Sequence, residues 1–201
     1  MRVSDTYKTF AKSLAFISLL GLVQMAQALA PISDGSKLVH DAKKQIGITT
    51  SYDPTYRKLD FPRGDVPINT GVCTDVVVRA YRLQNIDLQQ LLNYDMKSNW
   101  SSYPKTWGLK STDKNIDHRR VPNLEVFFAR HGQTLSITDK SSFQAGDVVT
   151  WRLPNGNLPH TGIVSDKTAA DGTPLIIHNI GRGTQEENIL FAYPINKHFR
   201  Y

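Results

Sequence analysis

A chain of 201 residues with 40% hydrophobic and 21% charged side chains has the make-up of a globular protein, and 24 basic against 18 acidic residues give it a net charge of +6. That modest positive balance favours an anionic partner such as cell-wall polymer or a membrane surface, whereas no basic run with interleaved aromatics marks a nucleic-acid interface. One cysteine and six scattered histidines offer no metal-ligand spacing, so no metal or other cofactor is expected.

The chain opens with Arg2, Lys8 and Lys12, followed by the apolar run SLAFISLLGLVQM at 13–25 and the small-residue stretch AQALA at 26–30. The run is shorter than the ~20 residues a membrane helix needs, so 1–28 reads as an export signal cleaved after Ala28, leaving one domain over 29–201. Removing Arg2, Asp5, Lys8 and Lys12 leaves 21 basic and 17 acidic residues, a net charge of +4. No other apolar run is long enough to cross a membrane, so no stable insertion is expected after cleavage. Export also implies an oxidising compartment, where an idle exposed thiol is a liability.

Residues 36–47 predict an amphipathic helix with Leu38, Val39, Ala42 and Ile46 on one face and Gly47 as its stop. Residues 51–71 are rich in Pro, Gly, Asp and Tyr and read as a long structured loop. The stretch NTGVCTDVVVRAYR at 69–82 then steps Val72, Val76, Ala80 and Leu83 at helical spacing, with Thr70 as N-cap, the sole cysteine, Cys73, in the first turn and Asp75–Arg79 as an i,i+4 ion pair. Further helices are predicted over 86–100 and 121–132, separated by an irregular stretch containing IDHRRVP. In that stretch Arg119 and Arg120 would either bind a substrate carboxylate in bidentate fashion or form a solvated turn. From 146 onward short β-branched runs bounded by turn residues predict strands at 146–154, 160–166 and 174–179, with 189–195 as a fourth. Helices followed by an antiparallel meander make the fold class α+β.

Cys73 is either a small buried apolar residue or a working thiol. Two histidines bear on the choice. If the connection between their strands centres on residue 169 or 170, His178 falls opposite His160 or within two residues of it, close enough to share a sheet face. A thiol in a helix's first turn has its pKa lowered, and an imidazolium beside it lowers it further. In that arrangement Cys73 would be the nucleophile and His160 would hold its proton and then deliver it to a leaving amine, while His178 would fix the tautomer of His160. The backbone N–H of Cys73 is a natural oxyanion donor.

The segments GDVPINTGVCTDVVVRAYR, DHRRVPNL and GDVV…HTGIVSD resemble a bacterial domain-of-unknown-function family, number 1287. The "GD-apolar-apolar" strand at 146–149, the "H-x-G-apolar" strand at 160–163 and the IIHN strand carrying His178 resemble the NlpC-type cell-wall peptidases, a branch of the papain-like cysteine hydrolases. The resemblance spans roughly 36–201. It implies a papain-like fold in which N-terminal helices, the cysteine helix among them, pack on the β-meander. It also implies a periplasmic location, a peptidoglycan peptide as substrate, and an upstream tyrosine at the oxyanion. For that tyrosine Tyr56 is preferred over Tyr52 for its shorter distance to Cys73. Val72-Cys73-Thr74-Asp75 departs from the Asp-Cys-Ser-Gly usual in that clan. The expectation is an exported cysteine amidohydrolase working through an acyl-enzyme. Its alternatives are a non-catalytic binding module of the same fold or an acyltransferase.

Overall fold

A computed structural model describes residues 33–154 and 156–201. The expected signal segment over 1–28 lies outside the described residues, as does Asn155.

Helix α1 (Gly35–Lys43) starts where the Asp34 side chain accepts the N–H of Lys37 at 3.2 Å. It buries Leu38, Val39 and Ala42, but ends four residues before the expected glycine stop, leaving Ile46 exposed on the turns that follow. Two short strands, β1 (Ser51–Tyr52) and β2 (Thr70–Gly71), pair in parallel and pinch the ends of the long loop. Cys73 is the first residue of α2 (Cys73–Leu83). Thr70 belongs to β2 and does not cap this helix. Instead the Asp75 carboxylate reaches back to accept the N–H of Val72 at 2.7 Å, one half of a capping box whose other half a valine side chain cannot make. Helices α3 (Leu88–Ser98) and α4 (Val121–His131) follow, the latter with Pro122 in its first turn, where a missing N–H costs nothing.

The main sheet begins with β3 (Gln133–Thr134), then β4 (Val148–Leu153), β5 (Leu158–Thr168), β6 (Pro174–Asn179), β7 (Thr184–Glu187) and β8 (Ile195–Arg200). Its order is β3-β8-β4-β5-β6-β7, antiparallel throughout. Alternation along the strands sorts the side chains between two cores. Val148, Ile163, Ile177 and Phe199 pack with the helices, while Val149, Trp151, Val164 and Ile176 pack under Phe143 and Leu190 on the other side. The segment 189–194 is therefore not the expected fourth strand. Leu190 is buried against Trp151, whose indole N–H donates to the Leu190 carbonyl at 2.9 Å, and the strand forms afterwards as β8. The architecture is α+β, with the helices that include the cysteine helix set first and packed on an antiparallel sheet.

Candidate active site

The thiol of Cys73 sits at the N-terminus of α2, where that helix meets β5. It is 4% exposed, and the backbone N–H of Thr161, the residue that follows His160, acts to lower its pKa. Cys73 also lines a pocket of about 180 Å³ whose walls include Tyr52, Trp107, Arg120, Pro122 and Pro159.

Residues Ile163 and Val164 of β5 face Ile177 and Ile176 of β6, so continuing the register places His178 opposite Gly162, two positions from His160 and on the same face. The two rings meet with His160 Nε2 and His178 Nδ1 3.0 Å apart. Trp151 faces His160 across β4, its ring centroid 5.7 Å away. The glycine of the H-x-G pattern has a steric cause. A Cβ at 162 would lie 2.6 Å from Ile176 Cγ2 and 3.0 Å from His178 Cβ, the space that the histidine uses. On its outer side His178 Nε2 lies 3.0 Å from Oε2 of Glu187, whose Oε1 is held by Arg182. Sequence reasoning missed Glu187: it stands in the polar run TQEE, with no apolar alternation to mark an edge strand.

Burial governs the electrostatics. It pushes the Cys73 thiol up to about 12, with the Asp75 charge adding to it and the N–H groups of Thr161, Thr74 and Cys73 working against it. Burial, then the proximity of His178, lowers His160 to about 3. His178 is also lowered, by burial first, with Glu187 opposing. The resting groups are thus a neutral thiol and a neutral imidazole rather than the expected ion pair. The helix N-terminus does lower the thiol as anticipated, but desolvation outweighs it.

The tyrosine expectation changes. Tyr56 is exposed, and its hydroxyl bonds Asp113 at 3.1 Å and Asn115 at 2.9 Å, committing it to the loop. Tyr52, though 40% exposed, lines the pocket, and partial desolvation followed by the nearness of Cys73 and Asp75 pushes its hydroxyl up to about 12, which keeps it a donor. Tyr52 is held there by Asn179, which is fully buried and donates to the carbonyls of Ser51 at 3.2 Å and Gly71 at 3.0 Å.

Of the two arginines, Arg119 is not free to read a substrate. Its guanidinium grips Asp75 through two 2.9 Å contacts and donates to the carbonyls of Asp53 at 3.1 Å and Thr55 at 3.4 Å. This pairing replaces the expected Asp75–Arg79 bridge; Arg79 turns instead to Asp65 at 2.9 Å. Arg120 lies over the Trp107 ring at 4.2 Å and makes one 3.3 Å contact with Asp117, leaving most of its donors for the pocket. Gly183, in the turn between β6 and β7, serves the fold. At φ +88° it abuts Thr49, whose carbonyl would be 2.3 Å from an added Cβ. Among the described residues no group of three His, Cys, Asp or Glu side chains is placed to hold a metal ion.

A family model described as "Domain of unknown function (DUF1287)" matches residues 39–201. The uncharacterized protein YijF of Escherichia coli (strain K12) is 56% identical over 161 residues, covering 80% of this chain and 78% of that protein. A solved structure of NlpC1 from Trichomonas vaginalis aligns with a TM-score of 0.48 and 16% identity over 84% of this chain. This chain spans 44% of that structure's length.

Proposed function

The chain belongs to the DUF1287 family, and from its own site we propose that it is a cysteine amidohydrolase that cleaves amide bonds of cell-wall peptidoglycan. The observation that carries the reading is the hydrogen-bonded pair His160–His178, 3.0 Å apart on adjacent strands of the sheet, with the cysteine helix packed on β5 and the Thr161 backbone, next to His160, acting on the buried thiol. In the reaction Sγ attacks the amide carbonyl carbon while the S–H proton passes to His160. With both groups neutral at rest, this transfer accompanies attack rather than preceding it. The Cys73 N–H and the Tyr52 hydroxyl are the donors for the oxyanion. His160 then protonates the leaving amine, and water, deprotonated by the same ring, releases the acid and restores the thiol.

Arg120 points to the substrate class: a cation with spare donors on a pocket wall of Trp, Pro and Ile suits a peptide bearing a free carboxylate near the scissile bond. The positively charged, apolar N-terminal run supports export to the periplasm, where peptidoglycan stem peptides supply such carboxylates. The test is to incubate purified peptidoglycan with the protein and with Cys73→Ala, then measure new amino groups and identify the fragments by mass. Release by the wild type alone is expected, and no release by the wild type overturns the proposal.

The burial of the thiol favours a second reading, a binding module without turnover. It predicts saturable binding of muropeptides that Cys73→Ala leaves unchanged, with no product formed.

A further inference from the structure

Glu187 lies outside the Cys-His-His set, and its place behind His178 assigns it a role. We propose that Glu187 is a positioning residue that fixes the ring tautomers of both His178 and His160, leaving Nδ1 of His160 as the base. The catalytic consequence rests on the hydrolase reading, whereas the tautomer assignment does not.

The argument runs inward from the edge of the sheet. The β6–β7 pairing sets Gln185 opposite His178 and Glu187 opposite Ile176, so Glu187 shares the face of the His178 ring, two residues along. A carboxylate only accepts hydrogen bonds. At 3.0 Å from Glu187 Oε2, His178 Nε2 therefore carries a proton. Burial keeps His178 singly protonated, so its Nδ1 is bare. A bare nitrogen 3.0 Å from His160 Nε2 can only accept, so His160 carries its proton on Nε2. Burial keeps His160 neutral as well, which leaves its lone pair on Nδ1. Arg182 holds the other oxygen of Glu187 and so orients the carboxylate from the solvent side.

Without an acceptor at 187, His178 is free to move its proton to Nδ1 and turn it toward His160. His160 would then accept on Nε2 and carry its own proton on Nδ1, where it cannot take one from a thiol. The defect would be a wrong tautomer within an intact fold, the kind of loss seen when a carboxylate behind a catalytic histidine is neutralised.

Long-range proton–nitrogen correlation spectra of the histidine rings at pH 7 decide the question for the wild type, Glu187→Leu and Glu187→Gln. The wild type should show Nε2–H on both His160 and His178. The leucine variant should shift His160 toward Nδ1–H, and the glutamine variant, which keeps a carbonyl acceptor, should restore the wild-type pattern. A wild-type His178 protonated on Nδ1 overturns the proposal even if no variant folds. So does a leucine variant with unchanged tautomers, or a glutamine variant that behaves like leucine. Turnover of purified muropeptides should fall roughly tenfold or more in Glu187→Leu, in kcat with KM unchanged. If the wild type shows no turnover, the hydrolase reading fails while the spectra still decide the role of Glu187.

Discussion

Asp75 and Arg119 form a bidentate ion pair buried on both sides, with both contacts at 2.9 Å. The pair joins three segments around the thiol. Asp75 accepts the Val72 N–H at the start of the cysteine helix, and Arg119 holds the Asp53 and Thr55 carbonyls beyond Tyr52. Arg119→Ala would strand a buried carboxylate and should cost about 3–5 kcal/mol in urea unfolding. Arg119→Lys should not recover that loss, because an ammonium cannot span both oxygens. An alanine variant within about 0.5 kcal/mol of the wild type would refute this account of the pair.

The Cys73 thiol should be protonated at neutral pH. Iodoacetamide should alkylate the folded protein slowly from pH 7 to 9, accelerating only toward the raised value of about 12. Ultraviolet difference spectra against Cys73→Ala should show no thiolate at pH 7. A full thiolate signal there would restore the ion pair that helix position and histidine spacing suggest.

Tyr52 and Tyr56 should separate cleanly. Tyr52→Phe removes a hydroxyl from the pocket that holds Cys73 and should slow turnover by roughly 100-fold or more, as for the loss of one oxyanion donor. Tyr56→Phe removes a hydroxyl that bonds only Asp113 and Asn115 among the described residues, and should leave kcat within about twofold while costing about 1 kcal/mol of stability. Equal kinetic losses in the two variants would return the role to the loop as a whole.

What could be read from the sequence follows from the range of the interactions concerned. Local periodicity located α2 through Val76 and Ala80, and the run PLIIHN matches β6 residue for residue. The turn centre set the two histidines within two residues of register, as the Ile163–Ile177 pairing has it. The failures involve partners far apart in the chain. Asp75 takes Arg119, 44 residues away, over its helical neighbour Arg79. The apolar run at 189–195 resembles a strand, yet its Leu190 covers Trp151, while β8 is disguised by the polar sequence INKHFR. Glu187 gains its meaning only once β7 is paired beside His178. Proximity in sequence favoured Tyr56, but the β1–β2 bridge and Asn179 bring Tyr52 to the thiol instead.

Gly162→Ala should disturb the histidine pair without touching either ring's chemistry. Its Cβ would meet Ile176 Cγ2 at 2.6 Å and both His178 Cβ and the Ile177 carbonyl at 3.0 Å. Neither a packed isoleucine nor strand backbone gives way cheaply, so about 1–3 kcal/mol of destabilisation is expected. The ring signals of His178 should move with it. A variant with wild-type melting temperature and unshifted His178 signals would show that β5 and β6 slide apart at little cost.

Stability should fall on mild acidification, before ordinary carboxylates protonate. His118 and His160 are each 2% exposed and held neutral down to about 3, both by burial first. The Arg82 and Arg119 charges add to the effect at His118, and the adjacent His178 ring adds to it at His160. In the unfolded chain both would titrate near the ordinary value of ~6.5. The folded values lie below the unfolded ones, so the unfolded state binds protons first as pH drops. The stabilisation is present in full above pH ~6.5 and is lost progressively toward 3. Each ring contributes a slope of roughly 1.4 kcal/mol per pH unit, close to 3 kcal/mol per unit for the pair. Urea unfolding at pH 7, 6 and 5 should show the midpoint moving down at each step. His118→Gln should roughly halve the slope, since glutamine carries no titrating group. Equal midpoints at pH 7 and 5 would mean that both rings are protonated in the folded protein, and the neutral-imidazole mechanism would fail with them.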